Sequence, residues 1–257
     1  MEILNIDNIT IQFGGLTAVK NFELKLQSGE LVGLIGPNGA GKTTIFNMIT
    51  GIYAPSVNRI YFQNTDITGM KPDKIAKLGI ARTFQNVRLM ENLTVIDNVM
   101  IGFHLHLQSN IASAIFKFSG YVQEEESIYQ KSTELLEKVD LERCKLEKAG
   151  SLPYGQQRKL EIVRALATEP KLLLLDEPAA GMNPQETKEL MGFIQRIRDD
   201  FNLTIILIEH DMKVVMGICE RIIVLNYGLT IAEGNPKEIQ HNPEVIKAYL
   251  GVEAQYA

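Results

Sequence analysis

The sequence predicts an α/β fold in which a mainly parallel sheet carries an inserted helical lobe. Three observations predict it. Continuous apolar runs stand at 31–35, 171–175 and 204–208; a glycine-rich stretch separates the first run from a helical pattern; and helical spacing with many charges takes over from about 93 to 168. Apolar runs without polar interruption suit parallel strands covered on both faces, with helices as the connections.

The bounds fit that reading. With 257 residues the chain can form one large domain, or one core with a smaller lobe. Forty-five per cent hydrophobic and 22% charged residues belong to an ordinary globular protein. Twenty-six basic against 31 acidic residues leave a net charge of −5, which argues against a nucleic-acid surface. Cys144 and Cys219 lie far apart, outside metal-ligand spacing, and are expected to be reduced. The opening Met1-Glu2-Ile3-Leu4-Asn5 has no basic segment before an apolar one, and no run reaches the length of a membrane span. A cytoplasmic protein is expected, touching a membrane only through partners.

Along the chain, the first thirty or so residues read as short strands with turns, among them Phe22–Leu26, which alternates apolar and polar as a half-buried strand should. Ser28-Gly29 turns the chain into the buried strand Leu31–Ile35. A helix is predicted from about Thr43 to Thr50, closed by Gly51. Arg59–Phe62 is another strand and Asn64-Thr65-Asp66 another turn. Expected boundaries are a core lobe over 1–90 and 169–257 and a helical lobe over 91–168. Within that lobe 132–139 and 158–166 read as helix, Gln108 to Tyr129 as the least regular stretch, and Glu124-Glu125-Glu126 as a solvated face. His104 and His106 alternate without an acidic or thiol companion and read as surface residues. Asn235-Pro236-Lys237-Glu238 has the cap, proline and acid of a helix start.

Three constellations carry chemistry. Gly36-Pro37-Asn38-Gly39-Ala40-Gly41-Lys42-Thr43 matches the phosphate-loop pattern in full, with an apolar strand before it and a helix after. Glycines let backbone N–H groups turn inward around phosphate oxygens, and the helix adds the positive end of its dipole. Lys42 would reach the terminal phosphates and the Thr43 hydroxyl would hold Mg²⁺. Gly36, Asn38, Gly39, Ala40, Gly41, Lys42, Thr43 and Thr44 are the expected nucleotide-binding set. Second, the strand Leu172–Leu175 ends in Asp176 and Glu177, two carboxylates at the edge where open α/β sheets bind ligands. Asp176 would hold Mg²⁺ and Glu177 would polarise the attacking water as general base. Third, His210 follows the strand Thr204–Ile208 and Glu209. A lone histidine is more often structural, but Lys42, Glu177 and His210 come from three strands to one edge, which makes all three catalytic candidates.

These motifs, in this order, resemble the ATP-binding-cassette (ABC) family over essentially the whole chain. The resemblance implies the ABC ATPase fold: a P-loop NTPase core, an N-terminal antiparallel β subdomain and an inserted helical subdomain. It implies ATP and Mg²⁺ as cofactors, Phe13 as the adenine-stacking aromatic, and Gln85, in Thr83-Phe84-Gln85-Asn86, as a metal ligand tied to the membrane partner. It also implies a signature segment at Pro153, Tyr154, Gly155 and Gln156 that closes the nucleotide site of a second cassette packed head to tail. Gly181-Met182-Asn183-Pro184 corresponds to a turn that meets the opposing subunit.

Within the family the likeness is to ATP-binding subunits of branched-chain amino-acid importers. It rests on Ala81-Arg-Thr-Phe-Gln-Asn-Val-Arg-Leu89, Leu93-Thr-Val-Ile-Asp-Asn98, the extra residues before Glu134, and Val245-Ile-Lys-Ala-Tyr-Leu250. Such subunits are peripheral on the cytoplasmic face of the inner membrane, bound to integral permease subunits and to a second ATPase subunit, here expected to be a paralogue. The lipopolysaccharide-export cassette shares much of this pattern. Non-transport cassettes of DNA repair or the ribosome usually carry coiled-coil insertions, zinc modules or basic surfaces, none of which is present here. A regulator that never turns over is opposed by intact Lys42, Asp176, Glu177 and His210.

One departure stands out. The family's signature usually has serine where this chain has Pro153, and that serine donates to the γ-phosphate held by the opposing subunit. Proline has neither hydroxyl nor N–H. Pro153→Ser is therefore expected to raise ATP turnover of the assembled pair of cassettes. Unchanged steady-state hydrolysis would remove any handicap from Pro153.

Overall fold

The computed structural model describes residues 1–106 and 119–253. In chain order the elements begin with β1 (Glu2–Phe13), β2 (Leu16–Gln27), β3 (Leu31–Ile35), α1 (Lys42–Ile49), β4 (Val57–Phe62) and β5 (Thr65–Asp66). Then come α2 (Pro72–Leu78), β6 (Ile80–Arg82), α3 (Val95–Phe103), α4 (Ser119–Lys138), α5 (Tyr154–Leu166) and β7 (Leu172–Asp176). The chain closes with α6 (Pro184–Asp200), β8 (Thr204–Ile208), α7 (Met212–Ile218), β9 (Arg221–Asn226), β10 (Leu229–Gly234), α8 (Pro236–Gln240) and α9 (Pro243–Glu253). They divide into two compact units, one of Met1–Arg82 with Lys171–Ala257 and one of Thr83–Pro170.

The first unit holds two sheets. One is antiparallel, in the order β2-β1-β4-β5; the other has the order β10-β9-β3-β8-β7-β6, and its β9, β3, β8, β7 and β6 run parallel. The expected short N-terminal strands are two long ones of 12 residues each, β1 and β2. The expected turn at Asn64–Asp66 is tighter than it reads. Gln63 and Asn64 both take left-handed backbone (φ 47° and 66°), which leaves Thr65 and Asp66 free to pair back on β4.

The parallel strands explain their own apolar runs. Leu172, Leu174, Ile206, Ile208, Val32 and Leu34 face the core shared with the antiparallel sheet and with Ile45, Phe46, Met48 and Ile49 of α1. The alternate residues, also buried, face the other way, where Gly33 lies under Val215 and Cys219 at the end of α7. Both faces being covered, polar side chains are confined to the strand ends, at Thr204 and Asp176, and alternation disappears. Cys219 is a free, buried thiol whose pKa is pushed up to about 12 by that burial; Cys144 is also free.

The second unit begins after Arg82 rather than after residue 90, because residues 84–88 are bonded to α5. Arg158, nearly fully buried, donates to the carbonyls of Phe84 (3.1 Å) and Gln85, and pairs with buried Glu161 (3.4 Å), which accepts from the Arg88 N–H (3.2 Å). Arg164 donates to the Arg88 carbonyl. The stretch expected to be least regular is corrected in part: residues 119–129 belong to the 20-residue helix α4, while 108–118 lie outside the described residues. Nor is the Glu124–Glu126 run a uniformly solvated face. Glu125 lies 3.3 Å from His104, so that histidine has an acidic companion after all.

Asn98 on α3 is fully buried and spends its amide on the preceding loop, accepting from the Met90 N–H (2.9 Å) and donating to the carbonyls of Met90 (3.1 Å) and Thr94 (2.9 Å). Asn98→Ala leaves these backbone groups without their buried partner and is expected to cost about 2 kcal/mol, read as a lowered midpoint in urea unfolding. A midpoint equal to wild type would mean that water replaces the amide.

Candidate functional site

Strands β3, β8 and β7 are hydrogen-bonded neighbours running in one direction, so their carboxyl ends lie side by side. β3 releases the glycine loop, β7 releases Asp176 and Glu177, and β8 releases Glu209 and His210. The loop is shaped by close approach. Gly36 has φ 148°, and a Cβ there would meet the Leu225 carbonyl of β9 at 2.1 Å. Lys42, buried at the start of α1, turns back on the loop and donates to the carbonyls of Gly36 (2.7 Å) and Pro37 (3.0 Å). Burial lowers its pKa, and the negative charges of Glu177 and Asp176 oppose that shift. The lysine is thus held inside the loop by the loop's own carbonyls.

Asp176 is buried and Glu177 half-buried. Glu177 adopts left-handed backbone (φ 50°), an uncommon state for a side-chain-bearing residue, with its N–H donating to the Ile208 carbonyl at 2.8 Å. Its Oε1 meets His210 Nε2 in a short contact, and the histidine side chain remains 43% exposed. Acid and imidazole therefore meet at the sheet edge, where a water held by Glu177 could pass its proton onward. Beneath them, buried Glu209 accepts from the N–H groups of Ala179 (2.8 Å) and His210 (3.1 Å), fastening the end of β8 to the turn after β7. Burial pushes the Glu209 carboxyl up, and those hydrogen bonds oppose the shift.

The loop, Glu177 and His210 open onto one cleft of about 430 Å³, lined also by Leu16, Thr17 and Tyr227. A model of the ABC transporter family matches residues 19–180, and one described as a branched-chain amino acid ATP-binding cassette transporter matches residues 230–255. The chain belongs to the ABC transporter family. It is 46% identical to the high-affinity branched-chain amino acid transport ATP-binding protein BraF of Pseudomonas aeruginosa, over 97% of this chain and 98% of that protein. It is 45% identical to LivG of Escherichia coli, a protein of the same description, with the same coverage. Among solved structures it resembles the ADP conformation of an ATP-binding cassette of an ABC transporter. There the TM-score is 0.86 at 34% identity, covering 98% of this chain and 99% of that one. The two sheets and helices described above are those of an ABC ATPase.

Of the residues expected in this ABC site, Asn38, Gly39, Ala40, Gly41, Lys42, Thr43, Thr44, Glu177 and His210 line the cleft, while Gly36 shapes the loop from below. Asp176 lies at the end of β7 beside them. Phe13 is not among the lining residues; it is 44% exposed at the end of β1, edge-to-face with Tyr53 at 5.1 Å. Gln85, Pro153, Tyr154, Gly155 and Gln156 belong to the second unit. Gln85 is exposed there. Pro153 is the N-cap of α5 and makes no side-chain capping bond, but its carbonyl accepts from the N–H groups of Gln156 (2.9 Å) and Gln157 (3.0 Å). Tyr154 lies under the Arg158 guanidinium, its hydroxyl 3.1 Å from Nε.

The donor set fits a magnesium ion arriving with phosphates. Thr43 and Asp176 offer hard oxygens, as Mg²⁺ prefers. Among the described residues no group of three or more His, Cys, Asp or Glu side chains could hold a metal unaided. Sequence reasoning missed Tyr227, 79% exposed on the cleft rim, and Tyr249 of α9, whose phenol is pushed up by burial against the opposing effect of a hydrogen bond with the Gly36 backbone. Neither sits in a phosphate-binding pattern; only the topology brings them to the loop.

Gly36→Ala drives a methyl group into the Leu225 carbonyl and cannot relax without moving the loop from β9. It is expected to weaken ADP binding at least about ten-fold, the factor that a 1.4 kcal/mol displacement of the cradle gives, measured by titration calorimetry. Retained affinity would show that the loop can shift without loss.

Proposed function

We propose that this chain is the ATP-hydrolysing subunit of a transporter for branched-chain amino acids. The observation that carries the chemistry is the convergence of Lys42, Asp176, Glu177 and His210 at the ends of three adjacent parallel strands, with Glu177 already in contact with His210. The substrate class is supported by the two relatives named above and by the match over residues 230–255, which favours this importer over lipopolysaccharide export.

In this reading the loop's N–H groups and Lys42 hold the β- and γ-phosphates of ATP. Thr43 and Asp176 would hold Mg²⁺, whose charge stabilises the transferring phosphoryl group and the leaving diphosphate. Glu177 orients and deprotonates water for attack on the γ-phosphorus, and His210 fixes the Glu177 carboxylate. Phe13 stacks on the adenine, and its exposure leaves a face available for that contact.

Two cassettes close head to tail, each nucleotide lying between one loop and the other's Pro153–Gln156 segment. The second cassette is a paralogue whose own signature completes the site built on Lys42 and Glu177, which makes Pro153 tolerable here. Among the described residues no helix is long and apolar enough to cross a membrane. We therefore infer that integral permease subunits anchor the chain at the cytoplasmic face of the inner membrane. Binding closes the pair and hydrolysis releases it, so the permease is driven through one cycle per closure.

Glu177→Gln keeps the size of the side chain and removes the base. It is expected to lower ATP turnover at least about 100-fold while ATP still binds, and to trap a cassette dimer with the partner subunit, seen by size-exclusion chromatography with light scattering. Turnover near wild type would remove Glu177 as base.

A further inference from the structure

We propose that Arg82 is a built-in counter-ion that withholds Asp176 from divalent metal until nucleotide is bound, so that Mg²⁺ enters this site only together with ATP or ADP. The inference rests on the reading of Asp176 as a metal-holding residue. It assigns Arg82 a positioning role that no phosphate-loop or strand-end motif implies.

The arrangement is specific. Arg82 is the last residue of β6, the edge strand, which pairs with β7 in the register Arg82↔Leu174. That register carries its side chain to Asp176, where Nη2 lies 2.7 Å from Oδ2, and both side chains are almost buried, at 6% and 7% exposure. Nη1 donates to Asn47 Oδ1 of α1 at 2.7 Å, and the guanidinium carbon stands 5.4 Å over the Phe46 ring. A planar guanidinium with two acceptors in its fork and an aromatic ring against its face is fixed in place, unlike a surface lysine that swings. One oxygen of Asp176 is thereby committed to a cation.

Charge makes the same point. At this edge the carboxylates of Asp176 and Glu177 stand with two cations, Arg82 on Asp176 and Lys42 within the field of both acids. Two cations beside these two acids weaken their pull on a divalent ion. The lack of a group of three metal-ligating side chains among the described residues leaves it few ligands as well. A nucleotide changes both terms, since its phosphates bring several negative charges and the oxygens that complete an octahedral shell. The buried Arg82–Asp176 pair also holds the acid in one orientation.

The test uses the full-length chain, free of nucleotide, titrated with Mg²⁺ alone and then with Mg²⁺ and ADP by calorimetry, with thermal unfolding in parallel. Wild type is expected to bind Mg²⁺ alone only weakly. Arg82→Gln is expected to bind Mg²⁺ alone at least about ten-fold more tightly, the scale on which an adjacent opposite charge shifts a carboxylate equilibrium, and to gain thermal stability from Mg²⁺ without nucleotide. Arg82→Gln with Asp176→Asn should lose both responses. An Arg82→Gln chain that binds Mg²⁺ alone no better than wild type overturns the proposal. If Arg82→Gln does not fold, Asn47→Ala decides: it loosens the clamp without exposing a buried charge, and unchanged Mg²⁺ affinity overturns the proposal equally. Asp176→Asn alone separates the two readings. If it leaves the Mg²⁺ dependence of ADP binding intact, Asp176 does not hold the metal; if it abolishes that dependence while Arg82→Gln changes nothing, the failure belongs to Arg82.

Discussion

A strand buried on both faces has nowhere to put a polar side chain except at its ends, and β3, β8 and β7 are such strands from first residue to last. Because they are parallel and adjacent, their carboxyl ends coincide, and Asp176, Glu177 and His210 are released there within two residues of the sheet, beside the loop that carries Lys42. The left-handed backbone at Glu177 follows from this constraint. The chain has to leave β7 at once, turn the acid toward the loop and still bond its N–H to Ile208. An unfavourable φ is sustained because β7 fixes Asp176 before it and the Glu209 carboxylate holds the Ala179 N–H after it.

Concentrating ionisable groups at one edge of an apolar core carries a desolvation cost, which the structure offsets by pairing. Lys42 is lodged on loop carbonyls near two acids, Asp176 on Arg82, and Glu209 on backbone N–H groups. Such pairs contribute little net stability, since the Coulomb gain roughly repays what burial removes. Their effect is geometric. Each charge is held in one orientation, which is what preorganised electrostatic stabilisation of a transferring phosphoryl group requires. The second unit uses the same device in Arg158 and Glu161, a buried pair that fixes the backbone of residues 84–88 to the helix beginning at Tyr154.

Legibility from sequence divides along physical lines. Features whose cause is local could be read. The phosphate loop depends on glycines at fixed spacing, the central strands on uninterrupted apolar runs, and the start of α8 on its Asn235, Pro236 and Glu238 cap. Features whose cause is a contact across the chain could not. Arg82 reads as one more charged residue until β6 is paired with β7, 94 positions from its partner. Glu125 reads as part of a solvated acidic run because His104 meets it only once α3 and α4 are packed. The helical character of 119–129 was hidden by the same acidic run, which leaves few apolar positions to show a period of 3.6.

Pro153 joins these two levels. As an N-cap it supplies no side-chain acceptor, the contribution that favours serine or asparagine at such positions. Other helices of the chain do use that contribution, with Thr94, Asn183 and Asn235 each completing a reciprocal capping box. The start of α5 is held instead by the rigid φ of proline and by Arg158, one turn in, which reaches both the Tyr154 ring and the carbonyl of Gln85. The helix terminus is therefore positioned from its buried side, through a guanidinium, and its exposed side is left with Tyr154 and backbone N–H groups to present. A terminus built this way keeps its shape and its dipole while lacking the hydroxyl that would bond a phosphate. On the function proposed above, it would bring a positive helix end to a second cassette's nucleotide and leave the more demanding chemistry to the site formed by Lys42, Asp176 and Glu177.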